Sequence, residues 1–197
     1  MILPFEPYTP QWKTQFNSIQ TGLFDSLQTL TLTIEHIGST AVEGLSAKPI
    51  IDVLVGVQGE AELDLVPPLV KGQNYVYYEK YNEEMPYRRF FVLLKEAPAT
   101  LGLPERVGLG EDIPERLNDH HLRLAHIHVI PIHSENWIRH IAFRDYLRTH
   151  PEVRAAYQAL KEQLVQQQWK TGNDYNEGKD QFLKREEEKA VNWYTNN

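Results

Sequence analysis

Nine residues, Pro49 to Val57 (PIIDVLVGV), constrain the fold of this chain more than any others. They are short, β-branched and nearly all apolar, the pattern of a central strand covered on both faces. Such a strand needs a packed layer above it and another below. In its middle stands Asp52. A carboxylate inside an apolar strand is costly unless it is paired or holds a cation, so Asp52 calls for an explanation.

The surrounding chain reads as alternating helices and strands. Thr9-Pro10 is expected to open a helix, and Trp12, Phe16, Ile19, Leu23 and Leu27 recur on one of its faces. Leu32 to Ile37 alternates as a strand that stops at Gly38. Glu60 to Lys71 is expected to be helical, interrupted by Pro67-Pro68. Asn74 to Tyr81 and Arg88 to Lys95 are strand candidates joined by a polar turn. Ala97 to His121 is rich in glycine, proline and charge, a long loop of the kind that is either functional or mobile. Arg123 to Pro131 is a further strand. Ser134 is expected to cap a helix to Thr149, His150-Pro151 to start another, and Asp174 with Glu177 to open a third through Trp193.

The 197 residues suit one domain, 1–197, with a sheet core and early helices over 1–131 and a helical tail over 132–197. There is no cysteine, so disulfides, zinc–thiolate sites and thiol nucleophiles are excluded together. The N-terminus lacks a signal-peptide pattern and no apolar run approaches membrane length, so a cytoplasmic protein without a membrane partner is expected. The net charge of −7 argues against general nucleic-acid binding.

The residues that carry chemistry lie between Glu35 and Gly56. A strand ends in Gly38-Ser39-Thr40, and a second strand brings in Asp52. Glycine permits close approach of backbone to a phosphate, the two hydroxyls can donate to it, and Lys48 adds positive charge. On the later strand His126 and His128 point to one face. If Asp52 and His36 share that face, four metal ligands converge. Each residue also has a plainer reading. The glycine segment is then a tight turn, Asp52 a buried acid bonded to loop amides, and His36 a group that orders the turn through a hydrogen bond. The tyrosines at 75, 77, 78 and 81 read as sheet packing, and Glu186-Glu187-Glu188 as a solvated helix face.

The segments HIGSTAV (His36–Val42), Gly44-Leu45, KPIID (Lys48–Asp52), HIHV (His126–Val129) and FRDYLR (Phe143–Arg148) resemble the GrpB-like family of the nucleotidyltransferase superfamily. His150-Pro151, Tyr157, Leu160-Lys161, Tyr175 and Lys179 continue the resemblance in order. It implies an α+β fold, a nucleotidyltransferase-like mixed β-sheet flanked by helices with a C-terminal helical tail packed against it. It also implies a Gly-Ser strand end, two acids spaced two apart on the next strand and a third on a neighbour, binding magnesium. Here Gly38-Ser39 is present and Asp52 fills the first acidic position. Leu54 occupies the second, and His126 or His128 stands at the third. Imidazoles suit transition metals better than magnesium.

The resulting expectation is a protein that binds a nucleotide or phosphorylated small molecule and transfers a nucleotidyl or phosphoryl group. Asp52, Ser39 and Lys48 are the catalytic candidates. Gly38, Ser39, Thr40, Lys48, Arg144, Lys161 and Lys179 are the substrate-binding candidates, the last three as a cationic rim from the helical tail. Asp52, His126, His128 and His36 are candidate ligands for one divalent ion: magnesium, manganese, or zinc or another transition metal. Two rivals stand beside it: a phosphate-binding module without turnover, and a transition-metal hydrolase built on the histidines.

Overall fold

A computed structural model describes residues 4–70, 73–167 and 172–196, with the backbone alone at 172–176. Its centre is a six-stranded mixed sheet with strands β1 (Thr33–Ile37), β2 (Ile51–Val57), β3 (Tyr75–Tyr78), β4 (Arg89–Leu94), β5 (Arg106–Val107) and β6 (Arg123–Pro131), in spatial order β1-β2-β6-β4-β3-β5. The β2–β6 and β3–β5 pairs are parallel and the other three antiparallel. The expected mixed α+β architecture is therefore present.

Apart from Asp52, strand β2 is apolar because both its faces are covered. Ile51, Val53, Val55 and Val57 face helix α1 (Gln11–Ser26), whose Trp12, Phe16, Ile19 and Leu23 complete one core. Each such side chain contributes about 1.5–3 kcal/mol on burial. Leu54 points to the opposite face and packs with Ile37, Ile130, Trp137 and Ile141 under helix α3 (Glu135–Thr149). Helix α1 begins one residue later than expected. Thr9 Oγ1 still accepts from the Gln11 amide at 3.3 Å, which keeps its role at the helix start.

The single helix expected over Glu60 to Lys71 is instead a 3₁₀ segment, Glu60–Leu65, followed by the one-turn helix α2 (Val66–Leu69); Lys71 itself lies outside the described residues. Pro67 and Pro68 supply no amide hydrogens, which explains the short elements. The long 97–121 segment is not a bare loop. Its Leu101, Leu103, Val107 and Leu117 pack onto Val76, Tyr78, Val92 and Leu94, so it covers the β3–β4 half of the face that α3 covers at β1–β2.

Ser134 caps α3 as expected, its hydroxyl accepting from the Trp137 amide at 3.2 Å. Helix α4 (Pro151–Val165) starts at the expected proline, and α5 spans Gly172–Thr195. The Asp174 side chain, expected to cap α5, lies outside the described residues. Glu186 departs from the solvated face expected of the glutamate run. It is buried between Arg185 and Lys189.

Candidate functional site

The turn after β1 is built around one backbone conformation. Gly38 has φ 69° and ψ −172°, where side-chain-bearing residues are strained. A Cβ at this position would also lie 2.4 Å from Asp52 Oδ2. Gly38 is thus required twice, and its lack of a side chain lets the turn close onto the Asp52 carboxylate. Ser39 follows in a 3₁₀ turn (Ser39–Ala41) and meets Lys161 of α4, whose Nζ donates to Ser39 Oγ at 3.2 Å and to the Ser46 carbonyl.

Three lysines gather in this part of the molecule. Burial pushes Lys161 down to about 7, reinforced by Lys179. Burial likewise takes Lys48 down to about 7, with Lys179 adding repulsion and Asp52 opposing. Lys179 is lowered by burial to about 8, with Asp52 again opposing. These groups come from the segment before β2, from α4 and from α5, and of the three Lys161 touches the Gly-Ser turn directly. The Lys161 ammonium also sits 4.7 Å over the Tyr157 ring.

Asp52 and His126 are register partners on adjacent parallel strands and share the α3 face. Burial pushes the Asp52 carboxyl up, but the hydrogen bond from His126, with the neighbouring histidines and Lys179, holds it below its ordinary value. The tautomer of His126 follows from its partners. Arg123 NH1 lies 3.1 Å from Nε2, and a guanidinium only donates, so Nε2 accepts. The proton is then on Nδ1 and is donated to Asp52 Oδ1 at 3.2 Å. Burial lowers the His126 value, with Arg123 and Lys48 acting in the same direction and Asp52 against them, so the ring is neutral. Arg123 is itself held by the Leu117 carbonyl. A chain of contacts thus runs from the 97–121 segment through Arg123 and His126 to Asp52.

His128 pairs with Leu54 in the register, on the same face. Arg88 NH1 approaches its Nδ1 at 3.4 Å, and the ring lies between Phe90 and His140 at centroid distances of 5.1 and 5.9 Å. Burial drives it well below the ordinary histidine range, as does Arg88. A cavity of about 210 Å³ is lined by Gly38, Ser39, Asp52, His128, His140 and Arg144, among others. That volume suits a phosphate group rather than a whole drug-sized ligand, for which about 300 Å³ or more is usual.

Two expected members of the site lie elsewhere, and a third is already engaged. His36 pairs with Val53, whereas Ile37 pairs with Asp52, so His36 points to the α1 side of the sheet. Its ring stacks on Phe16 at 4.7 Å and Nε2 meets Thr40 Oγ1 at 2.9 Å. Burial lowers it to about 4. His36 orders the turn and does not join Asp52, and Thr40 is turned away with it. Arg144 lines the cavity but is committed to Glu35, Asp145 and the His36 carbonyl. The convergence of four ligands is therefore absent: among the described residues no three His, Cys, Asp or Glu side chains are grouped to hold a metal.

Other residues belong here that the sequence pattern did not single out. His120, at the end of the long segment, is lowered to about 3 by burial and by Lys48, Arg123 and His126 around it, and its Nδ1 is buried with no hydrogen-bond partner among the described residues. His140, on α3, reaches the cavity wall. Arg88 and Arg123 set the tautomers of the two strand histidines. Only the histidine count hinted at these roles.

The GrpB protein family matches residues 4–189. A glutamate-rich protein GrpB of Alkalihalophilus pseudofirmus is 30% identical over 178 residues, covering 89% of this chain and 88% of the relative. A UPF0157 protein of Pseudomonas aeruginosa is 33% identical over 91% of this chain and 64% of its own length. The UPF0157 protein YqkA of Bacillus subtilis is 29% identical over 94% of this chain, which spans only 46% of that longer protein. The crystal structure of the conserved protein GrpB from Enterococcus faecalis superposes with a TM-score of 0.75 at 30% identity, covering 96% of this chain and 98% of that one. This chain belongs to the GrpB family and has its nucleotidyltransferase-like mixed α+β fold.

Proposed function

We propose that the cavity beside Ser39 binds the phosphate of a nucleotide or phosphorylated small molecule, and that the protein transfers a nucleotidyl or phosphoryl group. One observation carries this reading. Lys48, Lys161 and Lys179, from three separate segments, converge on a Gly-Ser turn and a single carboxylate. Crowding ammonium groups costs free energy in the free protein, and an anionic ligand relieves it.

In this reading Ser39 and Lys161 hold a phosphate oxygen, and Lys48 and Lys179 neutralise charge that develops on the leaving phosphate. Asp52, ionised at neutral pH, orients the acceptor hydroxyl and takes its proton as the new P–O bond forms and the bond to the leaving phosphate breaks. The residues do not fit a two-metal centre. Leu54, where a second carboxylate would stand, is wholly buried in an apolar cluster. The positive surroundings of Asp52 disfavour a bare cation. What remains compatible is one divalent ion brought in with the ligand and held between Asp52 and phosphate oxygens, where it would add Lewis-acid charge stabilisation. The cysteine-free composition supports a cytoplasmic setting.

The experiment is a thermal-shift titration with nucleoside triphosphates, with and without Mg²⁺ or Mn²⁺. A ligand at about 100 times its Kd stabilises by about 2.7 kcal/mol, roughly a 5–10 °C rise in Tm for a domain this size. No shift with any nucleotide, together with wild-type behaviour of Asp52→Asn, ends the reading.

The buried Leu54 also favours a second reading, a phosphate-binding module without turnover. Saturable binding with no product by mass spectrometry supports it, and any turnover that depends on Asp52 excludes it. The transition-metal hydrolase is supported less, because both nitrogens of His126 are already engaged. Metal analysis of untagged protein tests it: bound metal that survives His126→Ala with His128→Ala is not held by these histidines.

A further inference from the structure

Behind the Ser39 turn, on the α1 side, lies a larger cleft of about 890 Å³ that the proposed reaction does not use. Helix α1 forms one wall, the α3–α4 corner the other, and edge strand β1 the floor. Its size falls within the roughly 300–1,000 Å³ of small-molecule sites.

Its polar groups are arranged for an anion. Lys13, Arg144, Arg148 and Arg154 line it, against the carboxylates of Glu35 and Glu43. Asp145 offsets part of the charge from behind by pairing with Arg144 and Arg148. Lys13 is exposed and makes no ion pair among the described residues, and the Arg154 guanidinium makes one long hydrogen bond there, 3.4 Å to the Arg148 carbonyl. These two cations retain donor capacity in a protein whose net charge is −7.

The floor contributes as well. β1 is an edge strand, and its outward carbonyls at Ile34 and His36 are taken by Gln20 and Arg144, at 3.0 and 3.2 Å. In an extended strand each residue's N–H points the same way as its C=O, so the Ile34 and His36 amides also face outward, toward the cleft. Because the carbonyls are capped, the edge is blocked to an added β-strand but still offers donors to an anion. Arg144 lines both this cleft and the Ser39 cavity.

We propose that this cleft is a second binding site, for a small molecule bearing a phosphate or carboxylate group, and that Arg144 links its occupancy to the Ser39 cavity. Lys13 and Arg154 supply the charge, and the Ile34 and His36 amides fix the anionic group. A bound anion competes with Glu35 and Asp145 for Arg144, which also ties α3 to the end of β1.

The test is a ¹H–¹⁵N NMR titration of the whole chain with inorganic phosphate and, separately, citrate. The amides of Ile34 and His36 are expected to shift saturably with at least one anion, and which anion does so assigns phosphate or carboxylate. Lys13→Ala with Arg154→Ala should raise the apparent Kd for this set at least tenfold. Lys161→Met with Lys179→Met, which removes two of the lysines invoked for the first site, should leave it unchanged, so the outcome is independent of the nucleotide reading. In that second variant the Arg144 Nε–H resonance should still move. No saturable shift with either anion, or a shift insensitive to Lys13 and Arg154, overturns the site. A stationary Arg144 resonance overturns the link. Unperturbed spectra away from each cavity report that the variants fold.

Discussion

The backbone of Gly38 lies so close to Asp52 that a Cβ there would sit 2.4 Å from the carboxylate oxygen. Close approach and a positive φ act on the same residue. Gly38→Ala should therefore cost about 1–3 kcal/mol from the backbone alone, a fall of roughly 2–10 °C in Tm, and it should displace the turn from Asp52. Calorimetry and a phosphate titration check both effects. A variant with unchanged Tm and unchanged binding would show that the turn tolerates the side chain.

The second prediction concerns a proton. His126 should be neutral at pH 7 and carry its hydrogen on Nδ1, because Arg123 donates to Nε2. Long-range ¹H–¹⁵N spectra distinguish the two tautomers directly, and an Nε2–H signal would contradict the assignment. His126→Phe removes a donor to the ionised carboxylate, so the Asp52 pKa should rise in that variant. A ¹³C titration of the aspartate carboxyls reads the change.

Much of this centre is visible in the primary structure because it is local. Gly38, Ser39 and the aspartate of an apolar strand lie within fifteen residues, and alternation alone puts His126 and His128 on one face. The side taken by His36 is different. It depends on the β1–β2 register, which pairs Ile37 with Asp52, and a shift of one residue would have reversed it. The covering role of the 97–121 segment is hidden for another reason. Its anchors Leu101, Leu103, Val107 and Leu117 follow no helical or strand period. His120 inherits that obscurity, since nothing local shows that its segment folds back against Lys48 and Arg123. Glu186 reads as solvated within a run of acids, yet it is the member that α5 turns inward.

Ligand affinity and stability should respond to pH in opposite directions. Lys48, Lys161 and Lys179 have folded values of about 7, 7 and 8 against an ordinary 10.5. Between about pH 7 and 9 the unfolded chain binds more protons at these groups than the native one, so the stability of the free protein should rise with pH. Phosphate binds the charged ammonium groups, so affinity should weaken across the same range, with protons taken up on binding near pH 8. Differential scanning calorimetry and titration calorimetry in buffers of different ionisation enthalpy measure the two trends. Lys161→Met should flatten both, and equal slopes in variant and wild type would remove Lys161 from the account.

Restoring the missing acid should fail. Leu54 has no exposed surface and packs against Ile37, Ile130, Trp137 and Ile141, beneath α3 rather than within the ring of lysines. Leu54→Asp therefore removes an apolar side chain, worth about 2–5 kcal/mol in a core, and places a carboxylate where no cation is within the cluster. The expected result is a fall in Tm of roughly 5 °C or more with no gain in Mg²⁺ or Mn²⁺ binding. Leu54→Met keeps the volume and should cost less than about 1.5 kcal/mol. If Leu54→Asp instead folds normally and binds a second divalent ion, the apolar cluster is not what keeps a second acid out.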